Sequence, residues 1–579
     1  MLRFFRYLGP YWLKVILLIA AIGGQVWGTL ELPALMAKIV NEGIATGNDS
    51  VIWGIGLQML GCTAIAASCA LVASFYSSRV GAAVARDIRD DVYQKILSFS
   101  IAEIDKFSTA SLITRTTNDI AQVQQTIILC LSMLLRVPMM AAGAIYEAIK
   151  TAPDMTWIIL LAVGALLVSA VAIVGLALPK FKIFQELLDK ITLLTRENLT
   201  GLRVIRAFNK QSYERKKFEK ENNAITRANI FINNVMSFQV PIMTLIFNGT
   251  TLLCIWVGIS LLTTNMSYLG DMMAFMQYAI QVVLSFLFLV VLFVLLPRAN
   301  VSAKRINEVL KTKPKVIWKE KTKGTPEKSP SVEFKNVSFA YDNAETNALE
   351  KVSFKAEAGK TTAFIGSTGS GKSTLVNLIP RFYDTTKGEV LINGINVKNY
   401  AKKDLMKRIG LVPQKGVLFA GSIKSNIAFG NSKADVKSAA EIAQAKEFIE
   451  KLPKNYDNHI AQGGTNVSGG QKQRLSIARV IAKKPEIYVF DDSFSALDMK
   501  TDAKLRKALE PATKSSVVLI VAQRVSTIKN ADQIIVLDQG KVRGVGSHKE
   551  LLKSSEIYRE IVKSQFSDEE YKKELKDAR

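Results

Sequence analysis

Cysteine is scarce in this chain of 579 residues. The four present, Cys62, Cys69, Cys130 and Cys254, all fall in apolar stretches, which suits buried thiols. Their spacing gives neither a zinc site nor a secreted disulfide framework. Acidic residues are also short: 50 Asp and Glu stand against 75 Lys and Arg, a formal charge of +25. Nucleic acid is one reading of such a charge, but the basic residues are interleaved with long apolar runs, so a membrane surface is the expected partner and nucleic acid is not. What the chain has in quantity is hydrophobic residues, 49% with a mean hydropathy of +0.18. That is too hydrophobic for disorder and too long for one small domain. A positive mean hydropathy beside 22% charged residues implies two unlike parts, and the change falls near residue 300.

A membrane-spanning helix needs about 20 largely apolar residues, and six such stretches precede that point, at 15–36, 51–76, 127–149, 155–179, 236–262 and 272–297. The first follows Arg3, Arg6 and Lys14 like a signal peptide, but no small-residue cleavage site follows and its length suits a retained helix. Two connections, 77–126 and 180–235, are long, helical in character and rich in Lys and Arg, whereas the other three are short. The positive-inside rule places the long ones, and both termini, in the cytoplasm. Folded as helical hairpins, each projects about 35 Å, with turns near 103–108 and 197–206. Within the spans, Arg136 and Glu147 are ionisable, which marks them as functional candidates unless both sit near the interfaces. Gln239, Asn248, Gln277 and Gln281 fit either a cavity lining or bonds between helices.

Residues 311–330 are rich in Lys, Pro and Thr and read as a linker. From 331 to 565 short β-rich runs alternate with helical stretches, the pattern of an α/β domain with a largely parallel sheet. Residues 566–579 form a charged tail. The division is therefore a six-helix all-α transmembrane domain over 1–310, the linker, an α/β P-loop domain over 331–565, and the tail. The strongest motif is GSTGSGKST, comprising Gly366, Ser367, Thr368, Gly369, Ser370, Gly371, Lys372, Ser373 and Thr374, between the strand TTAFI and a helix start. Its glycines let the backbone wrap phosphate oxygens closely and present N–H groups at a helix N-terminus. Lys372 is placed to reach the β- and γ-phosphates and Ser373 to ligate Mg²⁺, so the expected cofactors are ATP and Mg²⁺. The strand IYVFDD ends in Asp491, which fits a Mg²⁺-holding acid, and Asp492. Ser468, Gly469, Gly470 and Gln471 precede a helix whose N-terminus also suits phosphate.

Taken in order, the P-loop, LVPQ with Gln414, SGGQ at Ser468, FDD, and SALD ending in Asp498 resemble the nucleotide-binding domain of ABC transporters. Six spans with two long hairpins ahead of that domain resemble an ABC exporter half-transporter, with 107–120 and 196–210 similar to its two coupling regions. The resemblance implies that two halves pair head to tail, each ATP lying between one chain's P-loop and the other's SGGQ. It further implies that Tyr341 stacks on adenine and that Gln414 touches Mg²⁺ and the attacking water.

Three positions depart from the family pattern. Asp492 stands where the resemblance predicts a glutamate general base, one methylene longer. Gln523 stands where it predicts a switch histidine, and the chain's two histidines, His459 and His548, lie elsewhere. Gln462 replaces the acidic residue before the signature. A glutamine donates a hydrogen bond but carries neither charge nor a transferable proton as imidazole does. An intact P-loop and SGGQ beside these changes resemble the degenerate-site subunit of heterodimeric bacterial multidrug exporters. The function expected is an ATP-driven exporter of amphipathic, drug- or lipid-like compounds in a bacterial plasma membrane, with a second half-transporter as partner. A homodimer with slow hydrolysis, an ATP-gated channel or sensor, and a dedicated peptide exporter are the alternatives.

Overall fold

The computed structural model describes residues 2–262, 268–342 and 344–578, which form two compact units, 1–96 with 110–312 and 97–109 with 313–579.

Among the described residues the first unit has helices and no strands. Long helices run over Trp12–Lys38, Asp49–Leu97, Thr156–Thr200, Gln211–Ser237, Gln239–Leu262 and Tyr268–Lys311. Among the described residues six stretches are long and apolar enough to cross a membrane: 4–44, 49–97, 109–151, 153–200, 211–260 and 269–286. They contain or overlap all six expected spans. The sixth was expected over 272–297; its helix continues through that range, although most side chains from 287 to 298 lie outside the described residues. Outward apolar side chains such as Leu160, Val168 and Leu176 are 72%, 71% and 60% exposed, as a surface facing hydrocarbon requires. Inside, the helices approach closely at glycine. A Cβ on Gly81 would sit 2.3 Å from Ile128, and one on Gly143 would sit 2.3 Å from Leu30.

Two apolar runs that read as continuous are interrupted. The third expected span breaks at Leu134 and Leu135, between helices Asn118–Met133 and Arg136–Thr151. Pro138 causes it, because its ring clashes with the carbonyl four residues back and it has no N–H to bond Leu134. Pro241 does the same to Ser237 at the break beside Phe238. Arg136 is exposed, and Glu147 is half-buried with Lys150 3.8 Å away. The first hairpin turn carries the helix Ile101–Phe107 and a left-handed Ser108 at φ 61°. The second turn spans 201–210, slightly later than expected, where Gly201 ends one helix and a short helix, Leu202–Ala207, precedes left-handed Asn209.

The second unit is built on two large sheets, with a two-stranded pair, Gly421–Ser422 and His459–Ile460, besides. Six strands lie in the order Lys541–Gly546, Gln533–Asp538, Thr361–Gly366, Val517–Val521, Ile487–Asp491 and Ile409–Val412; all pairs are parallel except the first. Val517–Val521 and Ile487–Asp491 are buried at every position, the pattern of parallel strands covered on both faces. A four-stranded antiparallel sheet contains Leu349–Glu357, Ser331–Phe339 and Lys387–Ile392. The expected linker is packed against this unit: the N–H of Lys323 donates to Asn399 O at 2.9 Å, and the Arg381 guanidinium lies over the Trp318 ring. The charged tail forms the helix Asp568–Ala578.

Candidate functional site

Parallel strands aim their C-terminal ends at one edge of the sheet, and the chemistry-bearing side chains gather there. The central strand Thr361–Gly366 runs into the P-loop, which opens the helix Lys372–Leu378. Gly371 has φ 95°, and a Cβ there would meet Ala348 O at 2.6 Å, so only glycine fits. Gly369 is left-handed with nothing within 4 Å of its missing Cβ, which leaves room over the loop. The Lys372 Nζ donates to Gly366 O, Ser367 O and Ser370 Oγ at 2.8, 2.7 and 3.2 Å. Burial pushes its pKa down, while Asp492 and Asp491 oppose the shift.

Asp491 ends the neighbouring strand, and the Ser373 hydroxyl donates to its Oδ1 at 3.1 Å. This pair of hard oxygen donors from two elements fits Mg²⁺. Burial raises the Asp491 pKa, and the Ser373 bond works the other way. Asp492 is left-handed at φ 46°, held by its own N–H donating to Val521 O at 3.0 Å. Its Oδ2 accepts from two amides, Gln523 Nε2 at 2.9 Å and Gln414 Nε2 at 3.3 Å. Burial pushes this carboxyl above the usual range, against the lowering effect of the Gln414 bond.

Tyr341 is 39% exposed, and its hydroxyl shares a 2.9 Å bond with Thr374 Oγ1 in the P-loop helix. Behind it stands Tyr383, which the sequence did not single out. Its ring meets Tyr341 edge-on at 5.4 Å, and its hydroxyl donates to Asp105 Oδ2 at 3.1 Å. Burial, with Asp105 adding to it, pushes the Tyr383 phenol up. The turn 97–109 is thereby tied to the P-loop through two tyrosines. Only the aromatic character of Tyr383 was visible in the sequence, and nothing marked its partner.

The structure brings together the P-loop, Asp491, Asp492, Gln414, Gln523 and Tyr341, and keeps the signature apart. Ser468 and Gln471 form a reciprocal cap, with Ser468 N donating to Gln471 Oε1 at 2.9 Å and Gln471 N to Ser468 Oγ at 3.3 Å. A Cβ on Gly469 would meet nothing within 4 Å, and one on Gly470 would lie 3.3 Å from Ala496 O. Asp498 is exposed and caps the helix Met499–Thr513 through Thr501 N at 2.9 Å. Among the described residues no hydrogen bond joins Ser468–Gln471 to the P-loop. The signature helix instead presents its N-terminus at the surface.

A helical membrane unit and a P-loop unit on one chain define a membrane transporter with a fused ATP-binding domain. The "ABC transporter transmembrane region" family matches residues 15–286, and the "ABC transporter" family matches 349–495. An uncharacterized ABC transporter ATP-binding protein of Mycobacterium tuberculosis is 37% identical over 568 residues, 97% of each chain. An ATP-dependent lipid A-core flippase of Haemophilus influenzae is 30% identical over 552 residues, 92% of this chain and 91% of that one. A solved bacterial Atm1-family ABC exporter with ATP bound superposes with a TM-score of 0.78 at 24% identity, covering 97% of this chain and 99% of that chain, which establishes likeness of fold. The chain belongs to the ABC transporter family, as an exporter-type protein with transmembrane and nucleotide-binding domains fused, and is a multi-pass membrane protein.

Proposed function

We propose that the chain is one half of an ATP-driven exporter of amphipathic, drug- or lipid-like compounds, paired with a second, different half-transporter, and that its own P-loop site hydrolyses slowly. The observation that carries the slow-site reading is the short carboxylate of Asp492, met by the neutral amide of Gln523, beside an intact P-loop. The kinship with a lipid A-core flippase supports the amphipathic substrate class. On this reading both termini and the ATP-binding domain are cytoplasmic and the membrane is a bacterial plasma membrane.

ATP with Mg²⁺ supplies the phosphoanhydride bond and the charge neutralisation. The residues divide the remaining work. Backbone N–H groups of Gly366–Gly371 and the Lys372 ammonium would hold phosphate oxygens, and Ser373, Gln414 and Asp491 would hold the metal. Tyr341 faces the base. Asp492 orients water poorly because its stem is one methylene short, and Gln523 offers a neutral donor where a proton carrier serves better. Ser468 to Gln471 complete the partner's site through a helix N-terminus, and Asp498 lies at the seam between the halves. Binding at that seam biases the two orientations of the helical unit.

The test is transport in inside-out vesicles holding the full assembly, with a fluorescent amphipathic amine as probe. ATP-dependent accumulation against a gradient, abolished by Lys372→Ala, is the expected outcome. ATP-dependent leakage down a gradient without accumulation would replace the pump with a gated channel.

A further inference from the structure

We infer that Gln565 is a positioning residue for the loop that carries Gln523, a role that rests on reading the P-loop region as an ATPase site. The loop 522–524 joins the buried strand Val517–Val521 to the four-residue helix Val525–Ile528. This helix begins without a side-chain cap: Arg524 occupies the capping position and makes no such bond. Helix starts leave backbone N–H groups without partners, and a Ser, Thr, Asp or Asn normally meets them. Here the cap comes from forty residues away. Gln565 Oε1 accepts from Val525 N at 2.8 Å, and Gln565 Nε2 donates to Gln523 O at 2.8 Å. One amide thus grips the backbone on both sides of Arg524, much as a strand neighbour would.

The grip is itself anchored. Gln565 follows the helix Glu556–Lys563 and its N–H donates to Val562 O at 3.0 Å, while its neighbour Phe566 packs on the domain core. The far end of the same short helix is also held from the tail. Lys529, the residue after it, pairs with Glu574 of the helix Asp568–Ala578, and Glu574 Oε2 lies 3.2 Å from His548 Nε2. Both ends of Val525–Ile528 are therefore fastened by residues beyond 562. The Gln523 backbone held in this way carries the amide that reaches Asp492 at 2.9 Å. The side-chain bonds of Gln565 go to backbone atoms of Val525 and Gln523, so it acts through where it puts Gln523.

The test uses the full chain, with its partner, in lipid nanodiscs. Two variants separate the contacts: Gln565→Met keeps length and removes both bonds, whereas Gln565→Glu keeps the acceptor for Val525 N and loses the donor to Gln523 O. Hydrolysis at this chain's own site is read as conversion of radiolabelled 8-azido-ATP photocrosslinked to it, alongside hydrogen exchange of the 522–528 peptide and the melting temperature. Gln565→Met is expected to speed exchange of that peptide and to lower the saturated rate by about five- to tenfold, since displacements of about 1 Å can cost even more. The half-saturating nucleotide concentration stays within about twofold, and Gln565→Glu recovers some of the rate. An unchanged rate in Gln565→Met beside slow but measurable conversion by the unaltered chain overturns the positioning role alone. So does a fall that tracks loss of folded protein with no recovery in the glutamate variant. An unaltered chain that converts no nucleotide overturns both the reading of the site and this role.

Discussion

Asp492 illustrates how one methylene changes what a carboxylate is free to do. With two amides donating to Oδ2, the side chain is occupied at short reach on the protein side of the site. A glutamate on the same left-handed backbone would carry its oxygens about 1.5 Å further, and a histidine at 523 would bring a group able to accept and return a proton. Asp492→Glu with Gln523→His is therefore expected to raise hydrolysis at this chain's site by about tenfold or more, measured as label conversion on the crosslinked chain. Unchanged conversion would mean that these two positions do not limit the site. The acid, the lysine and the loop glycines were legible in the sequence because their chemistry fixes local spacing. Tyr383 and Gln565 were not, since each is an ordinary side chain until the fold sets it against Asp105 and Tyr341, or against Gln523 and Val525.

At the scale of elements, apolar length reported the spans and missed their interruptions. A window of about 20 residues averages over a single proline, yet Pro138 and Pro241 each remove a helical bond and divide a long run into two helices. The tail was legible as charged, but its docking was not, because it depends on His548. That ring is 5% exposed, bonded to Tyr558 Oη at 2.7 Å through Nδ1 and facing Glu574 through Nε2, with Lys529 and Lys549 nearby. Burial depresses its pKa below the ordinary 6.5, and the Glu574 bond does not fully offset that shift. The unfolded chain therefore takes up this proton at higher pH than the folded one, so the stabilisation is complete above about pH 6.5 and declines as pH falls through that value towards the folded pKa. The protection of the 556–578 segment against hydrogen exchange, taken relative to the intrinsic rate at each pH, should fall as pH drops below about 6.5, and His548→Gln should flatten that slope. An unaltered slope in the variant would assign it to other groups.

At the scale of the whole molecule, the SGGQ turn is exposed and shares no hydrogen bond with the P-loop among the described residues, and on the proposed reading each is half of a site. Such halves call for a second chain. Gentle extraction of the tagged protein from its native membrane should yield a stoichiometric companion of similar size, carrying Glu and His where this chain has Asp492 and Gln523. Recovery of this chain alone would favour the homodimer, with both sites dependent on those two residues. The dual character of the chain was readable from its hydropathy, since hydrocarbon and water select opposite compositions. What no composition reports is that the ATP-binding unit is assembled from two stretches of sequence. Glu103, from the stretch 97–109, accepts from the Lys315 backbone N–H at 3.1 Å, and Asp105 from the same stretch accepts from Tyr383. A fragment excised at residue 313 would shed both acids, baring a tyrosine that backs Tyr341 and freeing the N–H near its own new terminus. Nucleotide affinities measured on such a fragment would describe a site with its rear wall removed.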